Sequence, residues 1–461
     1  MKGSGTGHAE SRFGTRLSRL LKSIEGDRAL SYVLLTRVWQ SAAGVVGLLL
    51  IMTQFPPTLQ GYYYTFASVI ALQTFFELGV CIVILSAASH EWAHLRLSSD
   101  RTIEGDPAHL ARLASLARVV LKWYLPAGTL FMIATSVAGI AFFSGQGNDV
   151  SVNWRQPWIM VVLFTGVAFM LTPVMVLLEG CNQVLEVNRV RLIQAVVASF
   201  GFWALLLAGA GLWATLALPA MTIVAGLYML LGRYRRLFLQ LFQCSGRQEI
   251  NWRTELWPMQ WRLAVQGVMN YFAGSLFNPV MFHYHGAEAA GRLGMTMQIA
   301  SALQSLAQSG LQTRNPTFGI LIARRDYAGL DLIFRRVAVV SLGFLIVASL
   351  CTWIALGALS VTDSRFADRV LQPFPAALLL LAGCCAHVVQ CFAAYMRAHR
   401  REALAAAGVG YGILTGALVW WWGSTMGETG AAAATFVVTA CYSLPLVTCI
   451  WYRSRASWHK E

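Results

Sequence analysis

EGDPAHL, residues 104–110, and RRDYAGL, residues 324–330, share the pattern D-x-A-x-L, and each follows a long apolar run. The first run contains Ala71-Leu72-Gln73-Thr74 and the second contains Ala302-Leu303-Gln304-Ser305. Together these matches suggest a chain that states one plan twice. What kind of plan follows from the composition. Of 461 residues, 57% are hydrophobic and only 12% are charged, and the mean hydropathy is +0.57. Soluble domains carry about a quarter charged residues. A deficit of this size, with apolar stretches recurring to the C-terminus, marks a polytopic membrane protein.

Windows long enough to cross roughly 30 Å of hydrocarbon fall near 29–52, 62–88, 118–143, 157–179, 191–211 and 213–231. A second set falls near 258–282, 293–313, 337–358, 371–395, 403–423 and 430–452. The expected fold is therefore an all-α integral membrane protein of about twelve helices. Six spans return the chain to its starting side, so the repeat implies two six-helix lobes of the same orientation around a central cavity, a transporter plan. The expected boundaries are an amphipathic N-terminal segment (1–28), an N-terminal lobe (29–245), a C-terminal lobe (246–452) and a basic tail (453–461). In the first segment Phe13, Leu17, Leu20, Leu21 and Ile24 recur at helical spacing, with Arg12, Arg16 and Arg19 on another face, a pattern suited to an anionic leaflet.

The net charge of +14 reads as topology, with no nucleic acid implied. Alternate loops hold Arg96, Arg101, Arg112, Arg189, Arg233, Arg235 and Arg236, then Arg314, Arg324, Arg325, Arg335 and Arg336, then Arg397, Arg400 and Arg401. The intervening loops hold only Arg155, Arg365 and Arg369. The positive-inside rule then places both termini in the cytoplasm. Nine cysteines, most in apolar runs and none in a C-x-x-C pair, read as small core residues.

EGDPAHL resembles the short inner loop of the polysaccharide flippases in the multidrug/oligosaccharidyl-lipid/polysaccharide superfamily. Phe76-Glu77-Leu78-Gly79 resembles their aromatic–acidic–Leu-Gly element, with Glu77 where Asp is frequent, and Asn315-Pro316 through Leu330 resembles their loop after the eighth helix. The resemblance implies export of a polyprenyl-diphosphate-linked saccharide across a bacterial inner membrane, by two lobes opening alternately around a polar, often cationic cavity. It also implies membrane lipids and polysaccharide-assembly machinery as further partners, with Na⁺ or H⁺ as coupling ion and no other cofactor.

Charges within a membrane are functional candidates unless paired or hydrated. Arg37, roughly 12 Å into the first span at 1.5 Å per residue, and Arg262, early in the seventh, occupy equivalent helices and would clamp a diphosphate through planar, bidentate hydrogen bonds. Glu77, with Gln73 one turn before it, is a coupling-ion site or a counter-charge for Arg37. Ser301, Gln304, Ser305, Gln308, Ser309 and Gln312 form a polar stripe that should line water. His387 is a weaker candidate of the same kind. Trp92 should sit at headgroup depth, and Asp363, Arg365, Asp368 and Arg369 should form a solvated turn.

HEWAH (His90, Glu91, His94) has the H-E-x-x-H spacing of zinc proteases. The chain offers no third ligand in an apolar helix, and an interfacial segment is the expected reading, with no metal. No phosphate-binding G-x-x-x-x-G-K-[ST] occurs, and no enzymatic activity is expected. The competing readings are a drug–cation antiporter of the same superfamily, which would want carboxylates in its cavity, and a non-transporting membrane partner in envelope biosynthesis.

Overall fold

The structure, a computed structural model, describes residues 7–145, 152–244, 250–362, 366–399 and 404–458, without the side chains of residues 7–27, 29, 30 and 316. The amphipathic side chains expected within 1–28, and the loop residues Asp363 and Arg365, lie outside the described residues. The backbone runs helical from Gly7 straight into the first span as α1 (Gly7–Gln54).

The second span is broken. It comprises α2 (Pro57–Ile70), a 3-10 turn (Ala71–Gln73), α3 (Thr74–Glu77) and α4 (Val80–Trp92), and bends by 45°. The bend falls within Phe76-Glu77-Leu78-Gly79, where Leu78 (φ 49°) and Gly79 (φ 70°) are both left-handed. A two-stranded hairpin follows, β1 (Leu95–Leu97) with β2 (Ile103–Gly105). The N-terminal lobe continues through α5 (Pro107–Ser144), α6 (Arg155–Gly180), α7 (Val184–Leu207), α8 (Ala217–Leu227) and the short amphipathic α9 (Arg235–Gln243).

The C-terminal lobe contains α10 (Trp257–Gly274), α11 (Phe277–Gln312), α12 (Asn315–Ala323), α13 (Tyr327–Val361), α14 (Pro373–Ala398), α15 (Ala405–Val437) and α16 (Leu444–Trp458). The helical runs α11 and α15 each turn at one glycine with a backbone no other residue adopts readily: Gly286 (φ 84°, ψ 177°) and Gly427 (φ 63°, ψ −141°). Each run therefore supplies two membrane arms.

Among the described residues, eight helices are long and apolar enough to cross a membrane, and the bent second span makes a ninth. The turn at Gly427 divides one of these into two. The remaining two of the twelve, α10 and the long arm of α11, are too polar to qualify. The seventh span departs from its expected bounds because the helix breaks at Ser275, so that 258–282 straddles α10 and the start of α11. The chain is a multi-pass, all-α membrane protein of two six-helix lobes.

The repeat has a local physical basis. Asp106 caps α5 by accepting from the Ala108 amide (2.8 Å), and Asp326 caps α13 by accepting from the Gly329 amide (2.9 Å). Each is preceded by a residue of positive φ, Gly105 (137°) and Arg325 (58°). D-x-A-x-L is thus a helix start used once in each lobe. Only the N-terminal lobe inserts a hairpin before it.

Three apolar cores organise the packing. One draws on both lobes, joining Phe55, Tyr62 and Phe66 to Phe282, Ala287 and Leu293. The other two lie at the opposite, arginine-rich end. One is built mainly on the N-terminal lobe around Val83, Leu113 and Leu237 and takes in Ile250, Leu256 and Leu263 from the start of the second half; the other is confined to the C-terminal lobe around Phe318, Phe334 and Tyr395. The lobes are fused at one end, termed the far end, and packed around separate cores at the other, termed the basic end.

Candidate functional site

The far-end seam is made by close backbone approach. A Cβ on Gly61 would lie 1.8 Å from the Ala287 carbonyl oxygen, so only glycine lets α2 meet α11 there. Gln60 donates to the carbonyls of Gly291 (2.8 Å) and Arg369 (2.9 Å), and Asn278 donates to Ser68 Oγ (2.9 Å). Tyr62 meets Phe282 edge-on at 4.9 Å. Arg369 donates to the Phe55 carbonyl, and the adjoining Val370 and Leu371 are buried. Of the expected solvated turn, Asp368 is exposed, whereas Arg369 docks in the seam.

At the basic end the lobes part around two polar stripes. On α10, Arg262, Gln266 and Asn270 recur every fourth residue and are all exposed. The opposite face carries Trp257, Trp261, Ala264 and Val268. Between these faces, Leu263 and Gly267 pack on Gly79 and Thr74 of the second span, while Met269 and Phe272 pack on Gly412 and Gly416 of α15. With its two flanks occupied, α10 turns its tryptophan face to lipid and its polar stripe into the cleft. Sequence reading found Arg262 but missed Gln266 and Asn270, although their spacing of four was visible.

On α11, Ser301, Ser305, Ser309 and Gln312 are exposed, and Gln304 and Gln308 are half-buried. Gln312 accepts a hydrogen bond from Arg37 of α1, so α1 meets the end of α11 there. Because Gln312 ends α11, Arg37 stands at the mouth of the cleft, nearer the basic end than a position 12 Å into the span suggests. Arg262 lies 5.8 Å from the Trp261 ring.

Other candidates are drawn elsewhere. Glu77 lies beside Cys81, whose thiol is 3.2 Å from the Tyr124 hydroxyl inside the N-terminal lobe. No ion pair joins Glu77 to Arg37 among the described residues, so the counter-charge reading has no geometric support. Gln73, half-buried one turn earlier, belongs to the 3-10 turn before the bend. His387 is fully buried between α13 and α14, 2.9 Å from Ser341 Oγ. It is a core residue and does not reach the cleft.

HEWAH has a structural use that the sequence did not reveal. Glu91 is buried and holds His109 (2.7 Å) and Arg112 (2.8 Å), while Arg112 also reaches Glu255 (2.6 Å). The His94 ring stacks on His109 at 4.0 Å. Both Glu91 oxygens are thus engaged, and no cluster with metal-binding geometry exists among the described residues. Trp92 is buried in the lobe core. The network fastens the interlobe segment to α5, helped by Ile250, whose amide donates to Ser115 (3.2 Å), and by Trp252 stacked on Trp123. The Asn251 amide and Arg112 hold the Glu255 carboxyl below its ordinary range. Ser98 and Arg96 do the same for the hairpin's Glu104.

No protein-family model and no curated protein matches the sequence. Solved structures do match in fold. The lipid II flippase MurJ, in an inward closed conformation, superposes with a TM-score of 0.63 at 11% identity, covering 93% of this chain and 90% of that one. An inward-facing multidrug resistance MATE transporter of the MOP superfamily gives 0.57 at 14% identity, over 93% and 95%. The eukaryotic MATE transporter AtDTX14 gives 0.56 at 13% identity, over 96% and 99%. This chain has the fold of MOP-superfamily transporters along nearly its whole length.

Proposed function

We propose that this protein is a flippase that carries a polyprenyl-diphosphate-linked saccharide from the inner to the outer leaflet of a bacterial inner membrane, for envelope polysaccharide synthesis. The observation that carries the reading is the cleft lining. Arg262, Gln266 and Asn270 are an exposed cationic, amide-rich stripe on α10, α11 adds an exposed serine and glutamine stripe, and Arg37 bonds the end of the latter. A diphosphate enters a low-dielectric cleft only against matched donors, and arginine supplies these in a planar fork. The amides suit a saccharide's hydroxyls. In this reading the basic end and both termini are cytoplasmic, following the positive-inside rule.

Substrate loads from the basic end, and the Arg37–Gln312 bond stands where an isoprenoid chain would trail out between α1 and α11. Closure of that end accompanies parting of the far seam, which releases the headgroup outside. A second reading, a drug–cation antiporter, rests on Glu77, the one carboxylate at the bend of the second span; in the flippase reading it is a candidate site for a coupling Na⁺ or H⁺.

Reconstituted vesicles containing a polyprenyl-diphosphate saccharide test the choice. The chain should expose the lipid to an external lectin or hydrolase, and Arg262→Ala should slow this about tenfold or more, equivalent to roughly 1.4 kcal/mol. Arg262→Lys should recover part of the rate. Arg37→Ala combined with Arg262→Ala should be little worse than either alone, because both serve one headgroup. Uptake of organic cations by the wild type, with no saccharide exposure, would establish the second reading instead.

A further inference from the structure

The outer flank of the C-terminal lobe carries a cavity of about 310 Å³ between α13, α14 and α16, away from the cleft. Its walls are apolar, with Val339 and Leu342 on α13, Phe392 on α14 and Trp451 on α16. Its charged lining residues, Asp331, Arg335 and Arg455, all lie toward the basic end. Asp331 and Arg455 neutralise one another through a 2.5 Å ion pair. Arg335 has no ion-pair partner among the described residues and is exposed. The site therefore holds one uncompensated positive charge.

Depth along α13 orders these groups. Arg335 is nine residues past the Asp326 cap, about 13 Å along the helix, and Leu342 lies about 10 Å deeper. Charge at the mouth and apolar wall beneath it match an amphiphile standing in the leaflet at that end of the bundle. Volumes near 300 Å³ are at the small end of ligand pockets, enough for part of one acyl chain with the rest lying along the lobe.

The N-terminal lobe offers a control within the same molecule. The corresponding third, fourth and sixth spans enclose a cavity of about 380 Å³, lined by Tyr124, Met170 and Leu230 and bordered by Phe238 and Phe242 of α9. No charged side chain lines it. The repeat thus builds the same hollow twice and charges only one.

We propose that the C-terminal hollow is a binding site for one anionic glycerophospholipid, its phosphate on Arg335 and an acyl chain between Val339, Phe392 and Trp451. The full-length protein, delipidated in mild detergent and offered phosphatidylglycerol or phosphatidylcholine, provides the test, with native mass spectrometry counting retained lipid. One phosphatidylglycerol should persist where phosphatidylcholine is lost. Arg335→Gln should lower that retention about tenfold, Arg335→Lys should largely keep it, and Val339→Trp should reduce it by filling the groove. Size-exclusion profiles identify any variant that fails to fold, and the exposed Arg335 variants are the safer arm. Equal retention of both lipids, unchanged retention in Arg335→Gln, or one-for-one displacement by a polyprenyl diphosphate would each overturn the assignment.

Discussion

The far end joins the lobes by backbone on backbone, with Gly61 against Ala287 and rings of Tyr62 and Phe282 around the contact. At the basic end each core has its own polar fastening, Glu91–Arg112–Glu255 holding the interlobe segment to the N-terminal lobe and Asp331–Arg455 within the C-terminal lobe. The difference bears on which contacts can be remade. Parting the Glu91 network would strand a buried carboxylate, which is strongly unfavourable. Parting the far seam strands few charged groups. It would also hydrate Gln60 Oε1, Tyr64 Oη and Asn278 Oδ1, which lack hydrogen-bond partners among the described residues. Buried polar atoms without partners destabilise a contact, so their hydration offsets part of the packing and hydrogen bonding lost when the seam opens. The lobes move as rigid bodies in this account, and the seam is what changes.

The largest effect is expected where the seam is tightest. Gly61→Leu cannot be accommodated against Ala287 and should hold the far end apart, abolishing transport while the protein still inserts. Thiol labelling of Ser68→Cys, buried beside Asn278 in the closed seam, should then become possible from the far side. Normal transport by Gly61→Leu would break the comparison.

Gly79→Ala comes next. It combines a left-handed backbone with a Cβ 2.5 Å from Leu263 Cβ, and should destabilise the protein by about 1–3 kcal/mol through strain and displacement of α10. Thermal unfolding in detergent would measure it, and an unchanged melting temperature would show that α10 is not seated on the bend.

Glu91→Gln acts on the fastening of the interlobe segment at the basic end. Arg112 keeps Glu255, so the loss should be smaller than for an isolated buried charge, about 1–2 kcal/mol. Transport by the surviving folded protein should be unaffected, unlike that of the seam variant.

The smallest effect is in pH. Glu104 and Glu255 titrate below the ordinary 4.5 in the folded protein. Their contribution is fully present above the unfolded value and is lost as pH falls through the folded one. Stability should therefore decline on acidification below about 4.5, and less steeply in Glu255→Gln.

The architecture was legible because apolar length and arginine placement are direct consequences of the bilayer. The repeat was legible because Asp106 and Asp326 perform the same capping chemistry. The polar stripe of α11 was legible from its spacing. The turns at Gly286 and Gly427 were legible as gaps between apolar windows, whereas the breaks at Leu78-Gly79 and at Ser275 were not, since each lies inside an apolar run that reads as one continuous span. Nor was Glu91: H-E-x-x-H spacing puts two histidines near a carboxylate, but the residues that engage that carboxylate, His109 and Arg112, come from the next helix. His387 misled for the converse reason. Polarity in a span does not distinguish a cleft from a hydrogen-bonded core, and its partner Ser341 lies on another helix.

The central claim is that the α11 stripe faces a water-filled cleft reached only from the basic end in this conformation. It is tested most directly by Ser301→Cys, Ser305→Cys and Ser309→Cys, each introduced singly after replacement of the nine native cysteines. Oriented vesicles would be treated with a membrane-impermeant maleimide from either side. The account predicts labelling of all three from the basic side, slowed by bound polyprenyl-diphosphate saccharide, and none from the far side. Resistance to the impermeant reagent from both sides, with labelling only by a lipid-soluble maleimide, would place the stripe against lipid and contradict it.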